Sequence, residues 1–171
     1  MNIEELYSKL VQILEDEVGI YRHLLEMVRG EKDVLIAADL DAITENNRAK
    51  EMMITKLRVL ERARQAVVGE LLPQLKMPEA QPRLLDLAVK LGGDKGEKLR
   101  TIHSTLDLMI KRIREYNEQN EKLIQSALKT FEGSMNALRN NLAENKTYKR
   151  KGQASAVEAT AQSGQFISKE A

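Results

Sequence analysis

Residues 99–142, LRTIHSTLDLMIKRIREYNEQNEKLIQSALKTFEGSMNALRNNL, carry the pattern that decides the fold. Leu99, Ile102, Leu106, Met109 and Ile113 recur in alternating steps of three and four. That spacing gathers them on one face of an α-helix and on no face of a strand. The row then passes through Asn117 and Asn120 and resumes at Ile124, Leu128, Phe131, Met135, Leu138 and Leu142. The steps from Met109 to Ile113 and from Ile113 to Asn117 are both four, a stutter that locally unwinds a heptad supercoil. A single long helix over 95–142 is predicted.

Upstream of it, Gly92, Gly93 and Gly96 punctuate the chain and read as a flexible hinge. Before them, Leu84, Leu85, Leu87 and Leu91 mark a short amphipathic helix over 82–91. The only prolines, Pro73, Pro78 and Pro82, sit close together and mark a connector. Pro73 is expected to end a helix over 40–72, opened by Leu40 and Ile43 behind the N-cap Asp39. The first helix is expected over 3–37. Ile3, Leu6, Leu10, Ile13, Ile20, Leu24 and Met27 form one apolar row, interrupted at Glu17, and Tyr7, Val11, Leu14, Val18, Tyr21, Leu25 and Val28 form a second beside it. Two adjacent rows serve a helix with two neighbours.

The fold class that follows is all-α: an elongated antiparallel bundle or coiled coil of three long helices and one short one. A helical domain over 1–143 is followed by residues 144–171, where the period is lost and a flexible tail is expected. The composition agrees, with 31% charged residues, 4% aromatics and no Trp, as in helices that meet along narrow seams.

Charge and chemistry exclude much. A formal net charge of +1 lacks the basic excess on which nucleic-acid binding rests. No apolar run is long enough to span a bilayer, and Met1-Asn2-Ile3-Glu4-Glu5 has neither the basic nor the apolar part of a signal peptide, so a cytoplasmic protein is expected. Without cysteine there is no disulfide, thiolate metal site or cysteine nucleophile. His23 and His103 have Ile20 and Arg100 three residues before them, where a di-iron bundle needs Glu. Gly92-Gly93-Asp94-Lys95-Gly96 has the wrong spacing for a phosphate loop and no strand before it. Lys149-Arg150-Lys151 is a basic cluster without interleaved aromatics. No catalytic constellation emerges, so the expectation is a binding protein, not an enzyme, with no metal or other cofactor.

Asn117 and Asn120 on an apolar face admit two readings. They are register-setting polar residues within a coiled-coil seam, or they line a stretch that has no permanent neighbour. Thirty-odd residues of each hairpin helix reach roughly 50 Å and the last helix ~70 Å. One end of the last helix is then expected to overhang, exposing an apolar stripe that marks an interaction site or an oligomer.

Three elements resemble one family. The turn Leu35-Ile36-Ala37-Ala38-Asp39-Leu40-Asp41-Ala42-Ile43 is similar to its Leu-Ala, small residue, Asp-Leu element. The run from Tyr116 through Leu128 resembles its Asn-x-x-Asn-x-x-Leu-Ile followed by a small residue and Leu. Thr147-Tyr148-Lys149-Arg150-Lys151-Gly152-Gln153 resembles its Tyr-x-x-x-Gly-Gln. On these motifs, which span about residues 3–153, the chain resembles the FlgN-type chaperones of the flagellar type III secretion system.

The resemblance implies a cytoplasmic chaperone that holds flagellar hook–filament junction proteins unassembled and delivers them to the export gate. Its last helix would bind the amphipathic C-terminal helices of those clients. Asn117, Asn120, Leu123, Ile124, Ala127 and Leu128 match the motif, and Phe131, Met135 and Leu138 extend the stripe by periodicity. Tyr148 matches the tail tyrosine used at the membrane export component, although the basic Lys149-Arg150-Lys151 departs from the family's pattern. The competing readings are a self-associating coiled-coil adaptor, in the simplest case a homodimer, and a chaperone for the filament cap or filament subunit. Neither nucleic acid nor stable membrane insertion is expected.

Overall fold

The structure is a computed structural model that describes residues 2–78 and 82–167, with side chains described for 2–78 and 82–142. Four helices follow one another: α1 (Ile3–Ala37), α2 (Leu40–Leu75), α3 (Leu84–Leu91) and α4 (Gly93–Ile167). No strand occurs among the described residues. The chain separates into two compact units, Met1–Leu123 and Ile124–Ala171. The all-α class expected from the periodicity is the observed one.

Each boundary has a local cause. Asn2 and Glu5 form a reciprocal capping box at the start of α1: Glu5 N–H donates to Asn2 Oδ1 (2.8 Å) and Asn2 N–H to Glu5 Oε2 (3.1 Å). The helix ends where Ala38 takes up a left-handed conformation, φ 52°, and its N–H turns back to the Leu35 carbonyl. Asp39 caps α2 as its side chain predicts, accepting from Ala42 N–H at 3.0 Å. The chain thus reverses over two residues, and α1 and α2 run antiparallel. Glu31 of α1 pairs with Lys50 of α2, and Glu17, earlier on α1, lies near Arg64, later on α2.

Four expected boundaries shift. α2 does not stop at 72: Pro73 lies inside its last turn, and the helix closes at Lys76, φ 53°, whose N–H reaches the Leu72 and Pro73 carbonyls. Pro73 takes an N–H partner from the Gly69 carbonyl and crowds it, but only two helical residues follow before the cap, so a bend there displaces little of the helix. The short helix begins at Leu84, not at 82, where the Asp86 carboxylate accepts from Arg83 N–H at 2.9 Å. The last helix begins at Gly93 and does not end at 142, its backbone remaining helical to Ile167. Residues 143–167 contain no proline, and Ala, Gln and Lys are their commonest residues, against which Gly152 and Gly164 are the weakest helix formers. The expected tail over 144–171 otherwise lies outside the described side chains.

The expected glycine hinge is tighter than a hinge. Gly92 (φ 64°) alone separates α3 from α4, and Gly93 (φ 48°) opens α4. Gly96 is buried against α3, where a Cβ would stand 2.3 Å from the Ala88 carbonyl oxygen. Glycine is required there for close approach.

Within Met1–Leu123, α4 runs alongside α1 in the same direction. Tyr7 hydroxyl donates to the Lys95 carbonyl (3.3 Å), and further along both helices Asn120 donates to the Val28 carbonyl (2.9 Å). The ion pairs Glu4–Lys95 and Glu15–Lys98 sit at the edge of this seam. The main core gathers Leu6, Leu10 and Leu14 of α1, Leu71 and Leu72 of α2, Leu87 of α3 and Leu99 of α4. Each such leucine contributes ~1.5–3 kcal/mol by burial. A second, smaller core holds Leu24, Val28 and Ile113, with Tyr21, Met53 and Tyr116 against it. Between the two cores lies a charged layer. Glu17, the interruption in the first apolar row, is buried there, and Arg64 makes a two-pronged bond to Glu61 at 2.8 and 2.7 Å.

Candidate functional site

The stripe that the sequence singles out divides into a buried part and an exposed part. Leu99, Ile102 and Ile113 of α4 are buried. Asn120, next but one in the same spacing, is only 5% exposed. Its side-chain amide donates to the Val28 carbonyl at 2.9 Å and to Glu31 Oε2 at 3.1 Å, and Glu31 in turn holds Lys50. One asparagine therefore links α4 to α1 and, through Glu31, to α2. A buried amide satisfied in this way fixes register, because sliding α4 by one turn would strand both the amide and a carboxylate away from water. Asn117, three residues earlier, is exposed, and Leu123 is half-buried. The two asparagines of the motif thus do different things in the fold.

Beyond Leu123 the spacing continues but the burial does not. Ile124, Leu128, Phe131, Met135 and Leu138 are 42%, 56%, 63%, 44% and 53% exposed. Ala127 is exposed, as is Leu142, which continues the row. Monomeric proteins seldom leave so regular an apolar row in water, and such rows mark contact surfaces. Tyr148 lies outside the described side chains.

Sequence reasoning missed the partners of Asn120. The signal was present in α1: Glu31 continues the step from Leu24 to Val28, a carboxylate at a seam position. Lys50 had no comparable signal.

The charged layer is electrostatically uneven. Burial pushes the Glu17 carboxyl above its ordinary range, although Arg64 opposes this. The hydrogen bond from Arg64 holds Glu61 below its ordinary range and raises Arg64 in return. Burial also raises the Tyr21 hydroxyl. His23 is exposed and His103 half-buried, on different helices, and among the described residues no three His, Asp or Glu side chains are grouped to hold a metal ion. Among the described residues no helix is long and apolar enough to cross a membrane.

Packed helical seams, a polar pin and an exposed continuation of the same apolar spacing define an all-α coiled-coil protein with a free helix face. The family model for the FlgN protein matches residues 1–156, and the chain belongs to the FlgN family. This is a family of chaperones for flagellar export, concerned with flagellum biogenesis. Neither a curated protein nor a solved structure matches the chain.

Proposed function

We propose that residues 124–142 dock the amphipathic C-terminal helices of hook–filament junction proteins, keeping them unassembled in the cytoplasm until they reach the export gate. The observation that carries this reading is the exposed row Ile124, Leu128, Phe131, Met135 and Leu138 on one face of α4. An amphipathic helix laid along it completes a coiled-coil seam, the helix-in-groove mode of recognition. Burying five half-exposed side chains of this size supplies on the order of 5 kcal/mol before the cost of association. That magnitude suits a client that must be released again. Met135, with its flexible thioether, lets one surface accept clients of different shape.

Asn120 belongs to the packing of Met1–Leu123, where its amide is engaged with Val28 and Glu31. Tyr148 is the proposed contact with the membrane component of the export gate, on the strength of the motif around it.

A second reading rests on the same exposure: the row pairs with a second copy of itself. Co-expression with a hook–filament junction protein from the same genome, followed by size exclusion with light scattering, separates the two. The chaperone reading expects a complex near one-to-one. A discrete homo-oligomer that ignores the client supports the adaptor instead, and a complex formed only with a filament-cap or filament protein reassigns the client.

A further inference from the structure

Between α1 and α2, at the level of the charged layer, lies an open cleft of about 690 Å³. Leu24 and Tyr21 of α1 and Ile54 and Leu57 of α2 line it. Ile54 is 42% exposed although it stands among apolar neighbours.

The rim is lopsided in charge. Glu61 is bound by Arg64, and Glu17 is buried beside the same guanidinium. Arg58 and Arg62, one helical turn apart on α2, are both exposed. Among the described residues neither has a hydrogen bond or an ion pair. The cleft therefore offers solvent an apolar floor and two free guanidinium groups at i and i+4.

We infer that this cleft is a second docking surface, separate from residues 124–142, for an amphipathic helix of a partner protein that carries carboxylates along one flank. An i, i+4 pair of guanidiniums matches Glu or Asp side chains spaced one turn apart on an antiparallel or parallel helix, and each such pair can be bidentate. The floor takes the leucine-type residues of the same helix. A second copy of this chain is a poor occupant. Its own exposed row is flanked by Lys129 and Arg139 against the single carboxylate Glu132, which repeats the rim's charge instead of complementing it.

The test uses the full chain and two synthetic helical peptides with one identical leucine stripe, flanked by glutamate in one and by lysine in the other. Wild type is expected to bind the glutamate peptide about tenfold more tightly than the lysine peptide, the scale of two exposed but bidentate pairs. Arg58→Glu with Arg62→Glu, both at exposed positions, inverts that preference. Ile54→Asp weakens both peptides, and the preference for the glutamate peptide persists in Leu128→Glu with Phe131→Glu, where the α4 row no longer holds an amphipathic helix. Equal affinity for the two peptides in that Leu128/Phe131 variant, no binding of either, or failure of the charge reversal to invert the preference overturns the inference. Loss of binding only in the Leu128/Phe131 variant overturns it as well, because the peptides are then held by α4. The readings of the two surfaces thus fail separately.

Discussion

The side-chain amide of Asn120 donates a 2.9 Å hydrogen bond to the main-chain carbonyl of Val28, across 92 residues of sequence. That carbonyl lies in α1, where backbone oxygens are ordinarily used up by the helix itself, so the bond is a second one to the same acceptor. The second amide hydrogen goes to Glu31, which Lys50 of α2 holds from the other side. An asparagine at this position meets both demands because it carries two donors on one nitrogen. Asn120→Ala removes both and leaves a buried carboxylate short of a partner. The expected loss is about 1–3 kcal/mol in urea unfolding. An unchanged unfolding midpoint would mean that the amide does not pin α4 to α1.

Glu17 and Glu61 face the same guanidinium with opposite consequences. The folded-state pKa of Glu17 lies above its unfolded value, so the ionised carboxylate opposes folding at neutral pH. That penalty begins to relax as pH falls to the folded value and is gone below the ordinary carboxylate range. Glu61 has a lowered folded pKa, and its contribution, present above the unfolded value, is lost as pH falls through the folded one. Glu17→Gln should therefore raise the melting temperature at neutral pH and lose that advantage toward acid. Glu61→Gln should lower it at neutral pH. Thermal melts of both variants across the acid range check the signs.

At Gly96 the close approach of α4 to α3 leaves no room for a side chain. Gly96→Ala would place its Cβ 2.3 Å from the Ala88 carbonyl oxygen, a backbone atom that cannot swing aside. We expect a destabilisation of about 1–3 kcal/mol from the shift forced on α3. Ordinarily Gly→Ala inside a helix stabilises by up to ~1 kcal/mol, so the sign of the change, read from denaturant midpoints, decides whether α3 is packed as described.

Ala38 and Lys76 end their helices with φ of 52° and 53°, where an L side chain is strained. Glycine fits that conformation. Ala38→Gly and Lys76→Gly should each stabilise by roughly 0.5–1 kcal/mol, net of the greater freedom of glycine in the unfolded chain.

The helices were legible because their signals are local and repeated. The three-four spacing from Leu99 to Leu142 needs no tertiary knowledge, and the Asp39 cap acts within four residues. What was not legible depends on the neighbour across the seam. Asn117 and Asn120 look alike in the motif, yet only Asn120 meets a carbonyl and a carboxylate. Which of the two a helix buries is set by its rotation against α1, and periodicity alone fixes that only to within a side chain. Pro73 misled for a related reason. Its cost falls on the Gly69 carbonyl one turn back, and a bend there displaces only the two residues that remain before Lys76. The glycine run read as a hinge because the sequence does not show that Ala88 lies over Gly96.

The central claim is that the exposed row of α4 is what holds the client. Its most direct test is calorimetric titration of the full chain with the C-terminal helix of a hook–filament junction protein, for wild type and for Leu128→Glu with Phe131→Glu. Both positions are more than half exposed, so the variant should keep its far-ultraviolet circular dichroism and its unfolding midpoint. The account predicts that the client helix binds wild type and that the variant loses at least about 100-fold in affinity, the effect of placing two carboxylates in an apolar seam. A folded variant that binds the client helix as tightly as wild type would contradict it.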